Sequence, residues 1–350
     1  MLKSYSSKAI ASKARAMYGQ RLTAADYNDM VKKDSVTEVA LYLRDNTHYH
    51  QALNDLSLDG IHRAQLEERL RGARFGQYGA LTRYCFSRKA GFYQYLYLLE
   101  ETEQLLKLLR YIGGGSEGEY FFSHTKELPR YCTYNLNAVL AARDYPTLLE
   151  AVAGTPYKKI LEKYPPRSEG GKNQIDLVLC ERDLKVHYYD QLFSLIDEEF
   201  SHGAAQELKD IFLARIDAEN LVNAYRLRYF FRSEPDYIRQ VLLPYRTGSH
   251  KLIDRIIDCT ENKELPGLLR TSAIVRHGSE LDQDYIEGLT ARTREKVSRR
   301  ALRYSTYPAV TLVSYMTQMD IELDNVINII EGIRYGLPEP DLRKLLILVA

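Results

Sequence analysis

The stretch Glu322-Leu323-Asp324-Asn325-Val326-Ile327-Asn328-Ile329-Ile330-Glu331-Gly332-Ile333-Arg334-Tyr335 joins an acid-amide-aliphatic step to an apolar stripe and closes on an Arg-Tyr pair. Leu323, Val326, Ile327, Ile330 and Ile333 recur at helical spacing, with Glu322, Asn325 and Asn328 off the stripe. That spacing predicts a long amphipathic helix. The same design stands twice upstream, as Glu103-Gln104-Leu105 running to Arg110-Tyr111 and Glu219-Asn220-Leu221 running to Arg228-Tyr229. The three steps begin at 103, 219 and 324, a spacing of roughly 110 residues, and recurrence of this kind marks a chain built from copies of one supersecondary unit. We therefore expect a triplicated helical scaffold with units over 1–115, 116–222 and 223–350.

Helical periodicity governs the rest of the chain. Val36, Val39, Ala40 and Leu43 form one short stripe, Leu192, Phe193, Ile196 and Phe200 a second, and Leu252, Ile253, Ile256 and Ile257 a third. Strand-like alternation is confined to Tyr120-Phe121-Phe122, so the fold class read from the residues is all-α. Thr23-Ala24-Ala25-Asp26 and Ser233-Glu234-Pro235-Asp236 each place a hydroxyl three residues before an acid, the pattern of a capping box. Leu337-Pro338-Glu339-Pro340-Asp341 keeps the acid and proline without the hydroxyl. A second element also recurs: Thr47-His48-Tyr49 with Leu53 matches Thr155-Pro156-Tyr157 with Leu161, each after a short amphipathic helix (36–43 and 144–152), and Thr271 holds the third place. Breaks are expected at 113–118, 164–173 and 247–249, where Gly, Ser and Pro concentrate.

Composition removes several classes of function. The 350 residues are 45% hydrophobic and 27% charged, enough apolar content for substantial cores. Lys and Arg number 48 against 47 Asp and Glu, and so even a balance argues against a nucleic-acid partner. Cys85, Cys132, Cys180 and Cys259 stand singly, without a CxxC pair, and read as reduced thiols of a cytoplasmic protein. The opening residues are polar and basic with no apolar core, so no export signal is expected. No apolar run reaches bilayer-spanning length. The 28 tyrosines, beside no tryptophan, read first as packing groups and second as contact groups.

Catalytic motifs are lacking. Gly170-Gly171-Lys172-Asn173 fails as a phosphate loop, because Pro166 stands where glycine is needed and Asn173 where Mg²⁺ needs a hydroxyl. His48 and His50 are two residues apart and no HExxH exists, so neither a metal nor any other cofactor is called for. His187, beside Tyr188 and Tyr189, reads as a half-buried helix residue. The acids Glu100, Glu101 and Glu103, and Asp197, Glu198 and Glu199, read as solvated helix faces paired to neighbouring cations. Nothing nominates an enzyme or a small-molecule substrate. A helical solenoid is disfavoured because its repeats are about 34 residues long, and a helical hydrolase because no motif supports one.

Taken in order, these elements resemble the family of C-type subunits of the V-type/A-type ATPases, whose eukaryotic counterpart is the d-type subunit. The resemblance rests on Glu322 to Pro338 at the end, Ala14-Arg15-Ala16-Met17, Leu22-Thr23 and the Thr47/Tyr49 turn at the start, and Asp217-Ala218-Glu219-Asn220-Leu221 with Gly154-Thr155-Pro156-Tyr157 in the middle. Gln104 departs from the amide pattern and the third Thr turn is degenerate. The resemblance implies three similar helical domains around a pseudo-threefold axis, shaped as a funnel. It implies a non-catalytic central-stalk rotor component that couples central shaft subunits of the D and F type to the membrane proteolipid ring, peripheral to the membrane on its cytoplasmic side. Thr47, Tyr49, Thr155, Tyr157 and Thr271 are the residues we expect on the partner-facing rim.

Overall fold

Amphipathic stripes of three or four turns must find another apolar face, and the chain answers by packing helix on helix. The computed structural model describes residues 2–83, 91–114, 128, 131–169, 172–271, 286 and 288–348. The helices are α1 (Leu2–Tyr18), α2 (Ala24–Met30), α3 (Val36–Asn46), α4 (His50–Leu53), α5 (Arg63–Thr82), α6 (Tyr95–Gly114), α7 (Leu136–Ala141), α8 (Tyr145–Ala151) and α9 (Pro156–Leu161). There follow α10 (Leu177–Glu199), α11 (His202–Tyr229), α12 (Pro235–Val241), α13 (His250–Asp258), α14 (Leu265–Arg270), α15 (Gly288–Tyr304), α16 (Pro308–Arg334) and α17 (Glu339–Leu345). Among the described residues the fold is all-α apart from one small hairpin. The chain forms two compact units, Met1–Phe86 with His202–Val222 and Leu269–Ala350, and Ser87–Ser201 with Asn223–Leu268.

In the first unit α16 is the axis of the packing. Helices α1, α3, α5, α15 and α17 all lie against it. Leu323, Val326, Ile329 and Ile330 of α16 join Val39, Leu43, Leu53, Leu66 and Leu70 in one apolar cluster. Because neighbours cover several of its faces, α16 is buried well beyond one stripe, and Glu322 and Asn325 lie inside rather than off the core. Asn325 uses that position to exchange two hydrogen bonds with Ile347, accepting from its N–H at 2.8 Å and donating to its carbonyl at 2.9 Å. The chain's last described residues are thereby tied to its central helix.

Helix ends follow local chemistry. Thr23 and Asp26 form the expected capping box at α2, with Thr23 N–H donating to the Asp26 carboxylate at 2.7 Å. Ser233 does not cap α12. Pro235, with its fixed φ, takes the first helical position and puts Glu234 at the cap, while Ser233 N–H donates back to Leu227 at 2.9 Å. Helix α16 ends on Gly336 at φ +67. Gly336 N–H donates to Ile333 and Leu337 N–H to Gly332, the paired bonds of a Schellman motif that requires a left-handed residue.

In the second unit α10 packs on α6, α9 and α12. Leu192 and Ile196 are buried as their spacing predicts, as are Ile253, Ile256 and Ile257 of α13. Phe92 meets Phe200 edge-on at 4.9 Å and stacks on Tyr95 at 5.4 Å. Gly91, at φ +99, leaves the space that the Glu199 carboxylate fills. The 164–173 segment is not a featureless linker: Arg167–Glu169 and Lys172–Gln174 pair as antiparallel strands β1 and β2, with Ser168 opposite Asn173. The expected break at 113–118 begins later than its glycines suggest, since α6 continues to Gly114. Tyr120-Phe121-Phe122 and Cys85 lie outside the described residues.

Two outcomes follow from this packing. Gly336→Ala places a side chain in the left-handed cap and is expected to cost about 1 kcal/mol, read as a lower urea midpoint at unchanged slope. A chain ending at Tyr307 loses α16 and is expected to lose cooperative unfolding of the first unit, measured by circular dichroism and calorimetry.

Candidate functional site

The Thr-x-Tyr turns are held from below by carboxyl groups on long helices. In the first unit, Glu322 of α16 is nearly inaccessible to solvent. Its Oε2 accepts the Leu22 N–H at 2.7 Å and its Oε1 the Tyr49 hydroxyl at 3.0 Å. His48 Nε2 lies 2.6 Å from the same Oε1. The network extends outward through Gln77 of α5, 3.4 Å from His48 Nδ1, whose side-chain oxygen accepts the Tyr315 hydroxyl. Burying a carboxylate costs several kcal/mol unless donors surround it, and here the donors come from the loop before α2 and the 47–49 turn. Burial and the adjacent Glu322 charge push the Tyr49 hydroxyl far up, so it serves as a proton donor.

The second unit repeats this chemistry with other residues. Glu101 of α6 is 1% exposed. Its Oε2 accepts the Thr133 N–H at 2.8 Å and its Oε1 the Thr133 hydroxyl at 2.7 Å. The Tyr157 hydroxyl lies beside Glu101 and Thr102, and the Tyr134 hydroxyl donates to the Glu101 carbonyl at 2.8 Å. Reading Glu101 as a solvated helix residue is therefore corrected: it shares a face with Gln104, one turn on, and that face is covered. Burial raises the Glu101 carboxyl above its usual range despite the donors from Thr133 and the nearby Tyr157 hydroxyl. Burial and the nearby Glu101 push the Cys132 thiol up to about 12, which keeps it protonated and unreactive. His187 stands edge-on to Tyr157 at 5.3 Å; desolvation lowers its pKa, and its Nε2 is buried without the hydrogen bond expected of it.

The five residues expected on a rim thus divide. Tyr49 and Tyr157 are fully buried and anchor their turns; neither ring can meet a partner in the folded chain, because the carboxyl groups lie inward. Thr47 and Thr155 are half-buried, and each hydroxyl donates to a carbonyl of its own turn, Leu43 at 2.5 Å and Val152 at 2.7 Å. Thr271 is exposed just after α14. The turns bring to the surface the residues beside them: Asp45 and Asn46 in one, Ala153 and Gly154 in the other.

The carboxyl positions escaped the motif reading, although a signal was present. Glu101, Asp217 and Glu322 each stand two residues before the step acids Glu103, Glu219 and Asp324, and all three are buried. The amides Gln104, Asn220 and Asn325 are buried with them, one turn further along the same helix face. A periodicity scan restricted to apolar residues passes over both rows. Among the described residues no cluster of three or more His, Cys, Asp or Glu is placed to hold a metal ion. No helix among them is long and apolar enough to cross a membrane.

Tyr49→Phe leaves the core filled but strips one donor from a buried carboxylate, and is expected to cost about 1–3 kcal/mol in denaturant unfolding. Glu101 titrates with a raised pKa in the native state, so its contribution is fully present below the unfolded value of 4.5 and is lost as pH rises through the higher native value. The stability of the native chain relative to Glu101→Gln is therefore expected to fall as pH rises above 4.5, measured by urea unfolding across pH.

No curated protein matches this chain. A family model does, over almost all of its length and including both carboxyl-anchored turns and all three signature helices. Matched over residues 10–345 by the family described as ATP synthase (C/AC39) subunit, the chain belongs to that family of V/A-type rotary ATPase subunits.

Proposed function

We propose that this chain is the non-catalytic central-stalk subunit of a V/A-type rotary ATPase, a socket that joins the D- and F-type shaft subunits to the membrane proteolipid ring. Family membership across residues 10–345 carries the reading. The physics is compatible with it. A part that passes torque must resist deformation, and close-packed helices do so because protein interiors have few voids and low compressibility. Carboxyl groups that lock turns onto long helices, as Glu322 and Glu101 do, remove soft joints at the places where a load enters.

The triplicate reading is part of this proposal. The matched rows Glu101/Asp217/Glu322 and Gln104/Asn220/Asn325 support one ancestral unit copied three times, over 1–115, 116–222 and 223–350, around a pseudo-threefold axis in a funnel. Three related rims can then meet a ring of identical subunits. We place the contacts on the turns carrying Thr47, Thr155 and Thr271, through their exposed neighbours rather than through Tyr49 and Tyr157. The chain would sit on the cytoplasmic side, peripheral to the membrane through its complex, and would need no cofactor or small-molecule substrate.

Affinity purification of the tagged chain from membranes is expected to recover shaft and proteolipid subunits together. Recovery of neither in detergents that preserve the complex would sink the proposal. Substituting Asn46, Ala153 and Thr271 together with Arg is expected to reduce recovery of the ring several-fold with the melting temperature held, whereas undiminished recovery would remove the turns from the interface.

A further inference from the structure

After α17 the backbone turns extended at Leu346, and Leu345-Leu346-Ile347 runs back along α16. Asn328 donates to the Leu345 carbonyl at 3.4 Å. Asn325, one turn earlier in α16, accepts the Ile347 N–H at 2.8 Å and donates to the Ile347 carbonyl at 2.9 Å. The segment is therefore antiparallel to the helix that holds it. Asn325 is 2% exposed and also shares a hydrogen bond with the Tyr27 hydroxyl of α2, so a second element orients its amide. An amide that exchanges two bonds with one residue's main chain reads an N–H and a C=O, which every residue except proline carries. Recognition of this kind tolerates changes of sequence.

Two leucines supply the apolar part. Leu346 is buried in the cluster that holds Val326, Ile329 and Ile330 of α16. Leu342 of α17 fills the space that Gly332 leaves, where a β-carbon would overlap its side chain. The segment's charges, by contrast, are paired within it: Arg343 binds Glu339 at 2.6 Å and Lys344 binds Asp341 at 2.8 Å. Departure from α16 would break the main-chain bonds to Asn325 and Asn328 and the bond from Arg343 to Asn28 of α2. It would break neither of these ion pairs.

Vacating this face would strip partners from a buried amide, which is costly unless another main chain takes the same bonds. We propose that the face of α16 from Asn325 to Gly332 is a peptide-binding groove. Its resident ligand is the chain's own segment 342–347, and it takes in exchange a leucine-rich, extended segment of another polypeptide. The resident defines the ligand: a leucine at the place of Leu346, and a residue other than proline at the place of Ile347, where an N–H is required. Neither the groove nor its ligand depends on the stalk role proposed above.

Hydrogen exchange of the full chain, read by mass spectrometry, tests the resident without any variant. The amides of 346–348 are expected to exchange about 100-fold faster than those of 326–330 in α16, because the segment opens locally while the helix does not. A labelled synthetic peptide of residues 338–348 is expected to bind the full chain at one saturable site. Ile347→Pro in the chain removes the N–H that Asn325 accepts, and is expected to raise the peptide's affinity about tenfold by vacating the groove. Adding Asn325→Leu to that variant is expected to lower it about tenfold, as is Leu346→Asp in the peptide. Exchange at 346–348 as slow as in α16 would overturn the assignment, by making the segment a fixed part of the core. So would absence of saturable binding to the Ile347→Pro chain, or binding indifferent to Asn325→Leu.

Discussion

A carboxylate inside a helical core is the constraint on which the first unit turns. Glu322 sits on a helix covered by several neighbours, where leaving it without donors would cost more than several apolar contacts return. The fold meets that demand with groups from places far apart in sequence: the Leu22 amide, the Tyr49 hydroxyl and His48. Each donor fixes a segment, so a single side chain sets the entry to α2, the 47–49 turn and the register of α16 at once. Apolar packing alone would tolerate small slips of one helix along another; a buried polar centre with directional bonds does not.

Glu101 imposes the same rule on the second unit through Thr133 and Tyr157. In both cases the acid lies on one long helix and the groups it binds lie on the short-helix cluster beside it. The N-terminal cluster obtains its acid from the C-terminal helix α16, nearly 300 residues away along the chain. The first unit is thus complete only when both ends of the chain are present, and Asn325, bound to Ile347, extends that dependence to the last described residues.

Much of this was legible in the residues. The helical spacing of 323–333, the cap at Thr23 and Asp26 and the ordered set of steps all pointed to packed helices and to the family. What misled was polarity read alone. Glu101, Glu322 and Asn325 looked like solvent-facing residues because amphipathic reasoning assumes one covered face, and α16 is covered on several. Tyr49 and Tyr157 looked suited to contact because tyrosine has a polar tip, yet those tips point inward to carboxyl groups. The hairpin at 167–174 was hidden by its Pro and Gly content, since a two-stranded ladder of three residues needs only local pairing.

By itself the sequence determined the secondary structure class, the place of most helices and the family, because those depend on spacing and order along the chain. Only the tertiary structure decided which polar groups are buried, which helix completes which cluster, and that Arg74 of α5 and Arg294 of α15 both approach Asp320 of α16. Those are facts about proximity in space. A residue such as Glu322 has no local mark of its partners, for Leu22 and Tyr49 become its neighbours only after some 270 to 300 intervening residues have folded to bring them together.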